Sequence, residues 1–472
     1  MWIVDKGPNL CIIVFCVLRS QRRKLPDYAF FWGCQIPARF PFLEKSMRLA
    51  LDSLEVRYHD IDGFTCCPPS IAIESLGNRI WLTTAVRNLA VAEKNGFDIL
   101  TGCNGCYSTL RRASSIMASN TSLRKEMNEK LARFNLSYNG TSKAKHIIEV
   151  LFDEVTPDAI NRKVKKPFSR MRLAVHYGCD LLRPSTQIRF DDPIRPTKFD
   201  SLIEATGAQS IDYETKMMCC GGMLSEMSDE KEALLAAKKK LAELRDLNVD
   251  AMCVCCPSCF IQYDARQTLL KASGDHFDLP ILYYTELLCL AFGMSPEEVG
   301  VKKHAVKPTR FLEEWEAKNK ALESAARHFD VWFLEKCYEC KACVEDCPSA
   351  KALDSYDPNR IIGEVLEGRL DEVLRSRDIW RCLECHTCYE LCPHKIGMVQ
   401  IFSKLKELAI SKGLGPRGIR AAQDSFKKEG ALAEIVEISR KRLGLPPSRK
   451  SGNKELLQLI KELEESKDDG PG

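Results

Sequence analysis

The chain has 472 residues, a length that corresponds to about three domains of ordinary size. Hydrophobic residues make up 45% and charged residues 28%, which is typical of globular proteins and excludes a mainly disordered chain. The 69 basic residues nearly balance the 65 acidic ones, and a net charge of +4 creates no field that would favour nucleic acid or a membrane surface.

The 23 cysteines are the unusual part of the composition. They cluster at regular spacings in a long chain, which is typical of metal ligands in a reducing compartment, so we expect a cytoplasmic protein. The apolar run at residues 10–18 is far shorter than the roughly 20 residues that span a bilayer, and its basic residues follow it rather than precede it. We interpret residues 1–26 as an N-terminal extension and expect no direct membrane insertion.

Strands and helices alternate over the first two thirds of the chain. The apolar patterns predict, in order, a strand at Tyr28–Cys34, a helix at Phe40–Val56, a helix within residues 84–97 and a strand at Asp98–Cys103. The order then returns, with a strand at Arg172–Cys179 and a helix followed by a strand at Lys231–Cys256. Such alternation predicts α/β units, and its recurrence indicates an internal duplication.

The cysteine spacing repeats together with these elements. The first copy contains Cys34, Cys66, Cys67, Cys103 and Cys106, and the second contains Cys179, Cys219, Cys220, Cys256 and Cys259. Because loops at the ends of neighbouring strands meet at one edge of a sheet, we expect each set of five to gather into one site. Five thiols exceed what one zinc ion or one cubane cluster needs, which favours a less regular iron–sulfur cluster; structural zinc and a redox disulfide are the alternatives.

The remainder of the chain has a different pattern. Charged residues and Pro308 indicate a linker or connecting helix, and from Val331 to Leu414 the periodicity is helical without strands. Near the C-terminus, Leu456, Leu459, Ile460 and Leu463 form the apolar face of a helix. We expect that helix to pack back on the protein, with binding to a partner as the alternative.

Two short cysteine runs interrupt the helical part: Cys337-x2-Cys340-x2-Cys343-x3-Cys347-Pro and Cys382-x2-Cys385-x2-Cys388-x3-Cys392-Pro. Such runs wrap four-iron, four-sulfur cubanes, and the cysteine before proline binds the other cluster in two-cluster proteins. The spacing therefore predicts one cubane on Cys337, Cys340, Cys343 and Cys392, and a second on Cys382, Cys385, Cys388 and Cys347. Zinc sites usually have paired CxxC arrangements, which neither run shows.

Taken together, these stretches resemble heterodisulfide reductase. The segments YAFFWGCQIPARFP, FTCCPPS, DILTGCNGCYSTL, AVHYGC, KMMCCGG and CPSCFIQYD resemble its B subunit with two CCG domains. The segments CYECKACVEDCPSA, DPNRII and IWRCLECHTCYELCPHKI resemble its C subunit. The resemblance implies two duplicated α/β CCG domains at 27–168 and 169–296, a linker at 297–328, an all-α ferredoxin-like domain at 329–415 and a helical tail at 416–472.

The resemblance also implies a function. Each CCG set would bind one noncubane iron–sulfur cluster, and the ten thiols together would form the catalytic site, where a mixed disulfide such as that of coenzyme M and coenzyme B is cleaved to two thiols. The two cubanes would relay electrons from a flavin-containing partner resembling the A subunit of the family, with a hydrogenase or formate dehydrogenase behind it. The chain itself has no GxGxxG after a strand and no Walker loop, so we expect the flavin in the partner.

One residue departs from the family pattern. Members often have histidine after the first cysteine of the second motif, where this chain has Asp180. An ordinary aspartate is ionised at neutral pH and unsuited to protonate a product thiolate, which makes nearby His176 the alternative donor.

Two other functions fit the same motifs. CCG domains also occur in subunits of glycolate-, lactate- and fumarate-linked oxidoreductases and of sulfur-oxidising complexes, and a chain with structural metal in its CCG domains would be only an electron carrier. The remaining cysteines, Cys11, Cys16, Cys253, Cys255 and Cys289, are expected to have structural roles.

Overall fold

The computed structural model describes residues 26–68, 73–226, 229–340, 344–392, 397–432, 436–447 and 453–465. Residues 1–25 of the predicted extension, with Cys11 and Cys16, lie outside these ranges, as does Cys343. The chain divides into two compact units, Met1–Glu316 and Ala317–Gly472. Within the described ranges, no helix combines the length and the apolar character that crossing a bilayer requires.

Two four-stranded parallel sheets of identical topology form the centre of the first unit. Their strands are β1 Tyr28–Phe30, β2 Tyr58–His59, β3 Asp98–Thr101 and β4 Ala144–His146, then β5 Arg172–His176, β6 Gln209–Ile211, β7 Ala251–Val254 and β8 Ile281–Tyr283. The strand orders are β2-β1-β3-β4 and β6-β5-β7-β8. Tyr28 lies opposite Asp98 in the first sheet, and Leu173 lies opposite Ala251 in the second. The predicted duplicated α/β fold is confirmed.

Helices cover both sheets. In the first half they are α1 Gln35–Arg39, α2 Pro41–Ser53, α3 Asn78–Lys94, α4 Asn104–Ser119, α5 Thr121–Leu131, α6 Ile147–Val150 and α7 Pro157–Asn161. In the second half they are α8 Ser185–Ile188, α9 Lys198–Glu204, α10 Gly222–Glu226, α11 Glu230–Asp246, α12 Pro257–Tyr263, α13 Arg266–Ala272, α14 Tyr284–Ala291, α15 Pro296–Val299 and α16 Thr309–Ala326, which continues into the second unit.

Strands β1 and β7 are buried along their whole length, and β3 and β5 are buried after their first residue, as expected for parallel strands with helices on both faces. They are shorter than predicted: β1 ends at Phe30, before Gly33 adopts a left-handed conformation with φ +67° and turns the chain toward Cys34. The two halves share one apolar core. Within it, α2 and α14 are joined by a hydrogen bond of 2.7 Å between the hydroxyls of Ser46 and Thr285.

The segment predicted as a linker is folded onto the first unit up to Glu316. Trp315 stacks on Phe168 with 5.0 Å between ring centroids and donates to the carbonyl of Pro167 at 3.2 Å. His304 is fully buried, with its Nε2 2.8 Å from a carboxylate oxygen of Glu286. Burial of these side chains explains why this charged segment has a fixed structure. The domain bounds given above remain predictions.

The described part of the second unit is helical, as predicted. Its helices are α17 Val331–Cys340, α18 Pro348–Ala352, α19 Pro358–Leu366, α20 Leu370–Arg375, α21 Thr387–Leu391, α22 Met398–Ser411, α23 Arg417–Glu429, α24 Glu437–Arg442 and α25 Asn453–Glu465. A small core forms around Ile362, Val365 and Phe402. The C-terminal α25 contacts α23, yet Leu459 and Leu463 of its apolar face remain exposed.

Candidate functional site

The candidate site lies at the carboxyl edges of the two sheets. In each half the first and third strands along the chain are neighbours, and the connections leave them in opposite directions. Such a reversal opens a crevice beyond the carboxyl ends of the strands, where ligands of α/β proteins bind. Cys34 and Cys103 follow the two central strands of the first sheet, and Cys179 and Cys256 follow those of the second. Topology thus explains why cysteines distant in sequence meet.

A glycine before the first cysteine of each set permits close packing of the thiols. Gly33 and Gly178 have φ values of +67° and +74°, in the left-handed region that glycine adopts readily. A Cβ atom on Gly33 would lie 2.8 Å from the Sγ of Cys106, and one on Gly178 would lie 3.3 Å from the Sγ of Cys259. Both positions therefore require glycine for conformation and for space.

The CxxC pairs stand at the beginnings of helices. Cys103 is the N-cap of α4, with Cys106 in its first turn, and Cys256 is the N-cap of α12, with Cys259 in its first turn. The first backbone N–H groups of a helix lack partners within the helix, and the helix dipole places positive potential there. This potential favours anionic sulfur, but neighbouring thiols and burial outweigh it and raise the pKa of Cys103, Cys106 and Cys259.

All ten predicted thiols of the first unit line one cavity of about 270 Å³. Cys34, Cys66 and Cys219 are exposed, Cys179 is half-buried and the other six are buried. The Sγ atoms of Cys34 and Cys66 lie 4.0 Å apart. The structure thus brings together both sets of five, and the cavity wall also includes Trp32, Ile36, Asp180 and Met223.

The two sets meet across the boundary between the halves. The side-chain amide of Asn104 donates to the carbonyl of Tyr177 at 2.7 Å, and the hydroxyl of Tyr283 donates to the carbonyls of Cys255, at 2.7 Å, and Gly102. These bonds hold the carboxyl edge of each sheet against the other, so that both sets of thiols open into the same space.

The packed thiols compete for protons. Hydrogen bonds from Cys179 and Cys220 lower the pKa of Cys219 to about 2. The hydrogen bond between Cys220 and Cys219 raises the pKa of Cys220 to about 12. A hydrogen bond from Cys103 likewise holds the pKa of Cys256 well below its usual range. Crowded thiolates repel one another, so one ionised sulfur retains protons on its neighbours. Metal cations remove this conflict because they replace the protons, and the donor set therefore fits a multi-metal cluster.

In the second unit the structure gathers one of the two predicted cubane sets. Cys347, Cys382, Cys385 and Cys388 line a small cavity of about 30 Å³ together with Tyr356. Cys347 comes from the other cysteine run, which is the exchange that the spacing predicts. In the other predicted cubane set, Cys337 is buried, Cys340 is exposed and Cys392 is half-buried, while Cys343 lies outside the described residues.

Comparison with known proteins follows the same division of the chain. The cysteine-rich CCG domain matches residues 28–111 and 173–264, and the 4Fe-4S dicluster domain matches residues 333–396. The B subunit of a CoB-CoM heterodisulfide reductase from Methanosarcina acetivorans is 37% identical over 286 residues, which are 60% of this chain and 95% of that protein. The chain belongs to the heterodisulfide reductase family.

The C-terminal part has relatives in the same family. The iron–sulfur C subunit of a CoB-CoM heterodisulfide reductase from Methanocaldococcus jannaschii is 36% identical over 140 residues, 28% of this chain and 74% of that protein. A longer match, not confined to the C-terminal part, is to the membrane anchor subunit of 8-methylmenaquinol:fumarate reductase from Wolinella succinogenes. That protein is 30% identical over 285 residues, 60% of this chain and 98% of that protein. The predicted fusion of B-type and C-type parts is confirmed, and the chain is an iron–sulfur oxidoreductase of the heterodisulfide reductase family.

Within this family member, Asp180 is not an ordinary aspartate. It lines the cavity next to Cys179, and burial, reinforced by the thiolates of Cys256 and Cys219, raises its pKa to about 6. Asp180 therefore binds a proton more readily than an ordinary aspartate does, although it is still mainly ionised at neutral pH.

His176 has a partner that the sequence did not indicate. It is buried, and its Nδ1 lies 3.1 Å from the Nζ of Lys240. A ring nitrogen of His176 and the sulfurs of Cys220 and Cys259 lie within 4.8 Å of one another. His176 therefore lies directly behind the second set of thiols.

Sequence reasoning missed Lys240, Asn104 and Tyr283. Lys240 had a detectable signal, because it interrupts the buried stripe of α11 formed by Ala233, Ala237, Leu241 and Leu244. A lysine at an apolar position of an amphipathic helix is seldom buried without a function or a partner. Asn104 and Tyr283 gave no comparable signal, because their importance depends on contacts with the opposite half.

The three described cysteines outside the sets are buried. Cys253 lies in β7 and Cys289 in α14, and burial raises the pKa of both thiols. Cys255 donates weakly to the side chain of Asn104 at 3.6 Å. Buried neutral thiols of this kind pack as small apolar groups.

Proposed function

We propose that the chain is the catalytic and electron-relay subunit of a heterodisulfide reductase that cleaves a mixed disulfide, such as that of coenzyme M and coenzyme B, to two thiols. The observation that carries the proposal is the single cavity lined by ten thiols from two duplicated halves. Reduction of a disulfide consumes two electrons and leaves two thiolates. A site with two equivalent halves has one place for each product sulfur.

Two noncubane clusters would occupy the cavity, one on Cys34, Cys66, Cys67, Cys103 and Cys106 and the other on Cys179, Cys219, Cys220, Cys256 and Cys259. Two cubanes would occupy the second unit on the sets given above. When bound, such clusters supply electrons one at a time. The crowding of buried thiols supports this assignment, because protons alone leave the ten sulfurs in conflict.

The side chains around the thiols define the substrate space. Trp32, Ile36 and Met223 provide apolar surface on the cavity wall, which favours desolvation of a disulfide over a charged group. Asp180 lies at the wall beside Cys179, and burial raises the pKa of its carboxyl group to about 6. A departing thiolate needs a proton to leave as a thiol, and the carboxyl group in its protonated form is positioned to provide it.

We further propose partners and a compartment. The relatives of both parts are subunits, so the chain would act in a complex with a flavin-containing partner resembling the A subunit of the family, and a hydrogenase or formate dehydrogenase would supply that partner with electrons. The number and spacing of the thiols favour a reducing cytoplasm.

A second candidate function has support from one relative. The fumarate reductase relative is similar to 60% of this chain, the same share as the B subunit, and the match covers 98% of that relative. Under this alternative the same clusters pass electrons between other partners, and the cavity holds no disulfide. In the simplest form of this alternative, the chain only transfers electrons and catalyses no reaction.

The first test is the metal content of the full chain purified without oxygen. About 16 irons and as much acid-labile sulfide per chain support four clusters, whereas about 8 after attempted reconstitution would contradict the catalytic proposal and favour an electron carrier. The same sample, with a reduced viologen dye as electron donor, should release two thiols per disulfide. Failure with every disulfide, together with coupling to a hydroxy acid dehydrogenase, would favour the second candidate.

A further inference from the structure

The two halves of the catalytic cavity differ behind their thiols. Phe31 lies three residues before Cys34, as His176 lies three residues before Cys179. Asn88 lies six residues before the end of α3, as Lys240 lies six residues before the end of α11. Equivalent positions of the duplicated fold thus hold an aromatic ring and an amide in the first half, but an imidazole and an amine in the second.

The first half has no charge at these positions. Phe31 is buried and packs edge-on against Phe64, with 5.0 Å between ring centroids. Asn88 accepts from the backbone N–H of Thr65 at 3.0 Å and donates to the carbonyl of Cys66 at 3.2 Å. Its amide is therefore used to hold the loop that carries Cys66 and Cys67.

The second half places a buried amine near the sulfurs. Lys240 is fully buried, and its Nζ lies 3.0 Å from the carbonyl of Lys216, to which it donates, and 3.1 Å from the Nδ1 of His176. Burial lowers the pKa of Lys240 to about 7, while the thiolates of Cys259 and Cys220 act in the opposite direction. No described carboxylate lies within ion-pair distance of Lys240, so anionic sulfur is the main counter-charge around it.

The contact with Lys240 bears on the proton of His176. A protonated Lys240 can only donate to Nδ1, which leaves the hydrogen of a neutral imidazole on Nε2. That atom is buried and has no hydrogen-bond partner among the described residues. A ring nitrogen of His176 and the sulfurs of Cys220 and Cys259 lie within 4.8 Å of one another, so the imidazole is close enough to the second set to interact with its sulfur.

Reduction makes an iron–sulfur cluster more negative by one charge. A nearby amine and an N–H donor to sulfur stabilise the reduced form more than the oxidised form, which raises the reduction potential. We infer that the His176–Lys240 pair gives the cluster of the second CCG domain a higher reduction potential than that of the first, so that it accepts the first electron. This inference rests on the proposed function. The step adds one electron from the reductant and makes or breaks no bond.

The experiment is a redox titration of the anaerobic full chain, followed by electron paramagnetic resonance. Cys66→Ala and Cys219→Ala, at equivalent exposed positions of the two halves, identify the signal of each domain by its loss. The wild-type protein should show the second-domain signal at the higher potential.

Lys240→Met should lower the potential of the second-domain signal and leave the first-domain signal unchanged. We expect at least a tenfold change in the ratio of oxidised to reduced cluster at fixed potential, which for one electron is about 59 mV. Lys239→Met is the matched control, because it removes the same charge from the exposed face of the same helix. Lys240→Gln and His176→Phe, which copies Phe31, should shift the signal in the same direction and provide the test if Lys240→Met does not fold.

The outcomes separate this inference from the proposed function. With about 16 irons per chain, equal potentials in the wild-type protein, or shifts no larger than in Lys239→Met, would overturn the inference alone. An iron count of about 8 that reconstitution does not raise would overturn both.

Discussion

The first unit draws each set of five cysteines from segments separated by whole helices, whereas each cysteine run of the second unit places its first three within seven residues. In the first unit the strand order places β1 beside β3, the strands that precede Cys34 and Cys103, although α3 lies between these cysteines in sequence. In the second unit only the cysteine before proline comes from elsewhere. The first site thus depends on tertiary structure to join three separate segments for each set of five, and the second site depends on it for one ligand in four.

Removal of one buried thiol should have the largest effect. We expect Cys220→Ala to lose the second-domain cluster, about 4 of about 16 irons, and with it disulfide reduction, because two electrons and two sulfur positions are both required. Cys289→Ala removes a buried cysteine outside the sets and should retain all the iron and the activity. Iron analysis and the viologen assay measure both variants; equal losses would show general damage rather than loss of a ligand.

The exchange between the two cysteine runs gives the next prediction. Cys347→Ala and Cys382→Ala should abolish the same paramagnetic signal, because both side chains line one cavity. Cys392→Ala should abolish the other signal. Loss of the same signal with both Cys347→Ala and Cys337→Ala would mean that each run holds its own cluster, contrary to this prediction.

The dependence of the first site on close tertiary packing can be tested at Gly33 without removing any ligand. Gly33→Ala should deplete iron from the first CCG domain, because the added Cβ would lie 2.8 Å from the Sγ of Cys106. Gly96→Ala is the control: its φ is +76°, but no atom lies within 4 Å of the new Cβ. It should retain iron at a cost of about 1–2 kcal/mol in the free energy of unfolding. Similar iron losses in both variants would implicate backbone strain instead of contact.

The stability of the two units should also differ, by a smaller amount, in its dependence on pH. Burial lowers the pKa of His304, but the carboxylate of Glu286 more than offsets this, and the pKa is raised overall. The ion pair therefore stabilises the first unit fully below about pH 6.5, the unfolded value, and this stability is lost as the pH rises through the folded value. The described histidines of the second unit are exposed.

Thermal unfolding of the wild-type protein and of His304→Gln should thus be compared between pH 6 and pH 9, and the stability that His304 gives the first unit, measured as the difference between the two, should fall as the pH rises. His304→Gln should remove that pH dependence, while His328→Gln, at an exposed position of the second unit, should leave it intact. An unchanged slope in His304→Gln would assign the dependence to other groups.

Local patterns in the sequence were sufficient for much of the fold. Short apolar runs predicted the strands before Cys103 and Cys179, and the recurring strand–helix order with its repeated cysteine spacing predicted the duplication. The sequence did not indicate which contacts fix the charged segment that it predicted as a linker or connecting helix: Trp315 and His304 anchor that segment. A charged composition does not reveal the few side chains that a neighbouring surface will bury.

The amino-acid sequence supplies ten thiols in two equal sets and two runs suited to cubanes, and these patterns carry the family resemblance. That the ten thiols share one cavity follows only from the folded chain, because it depends on Asn104 and Tyr283 joining the two halves. The folded chain also decides the electrostatics of each set. Lys240 and Asp180 are ordinary charged residues in the sequence, and burial beside thiolates is what changes the pKa of each.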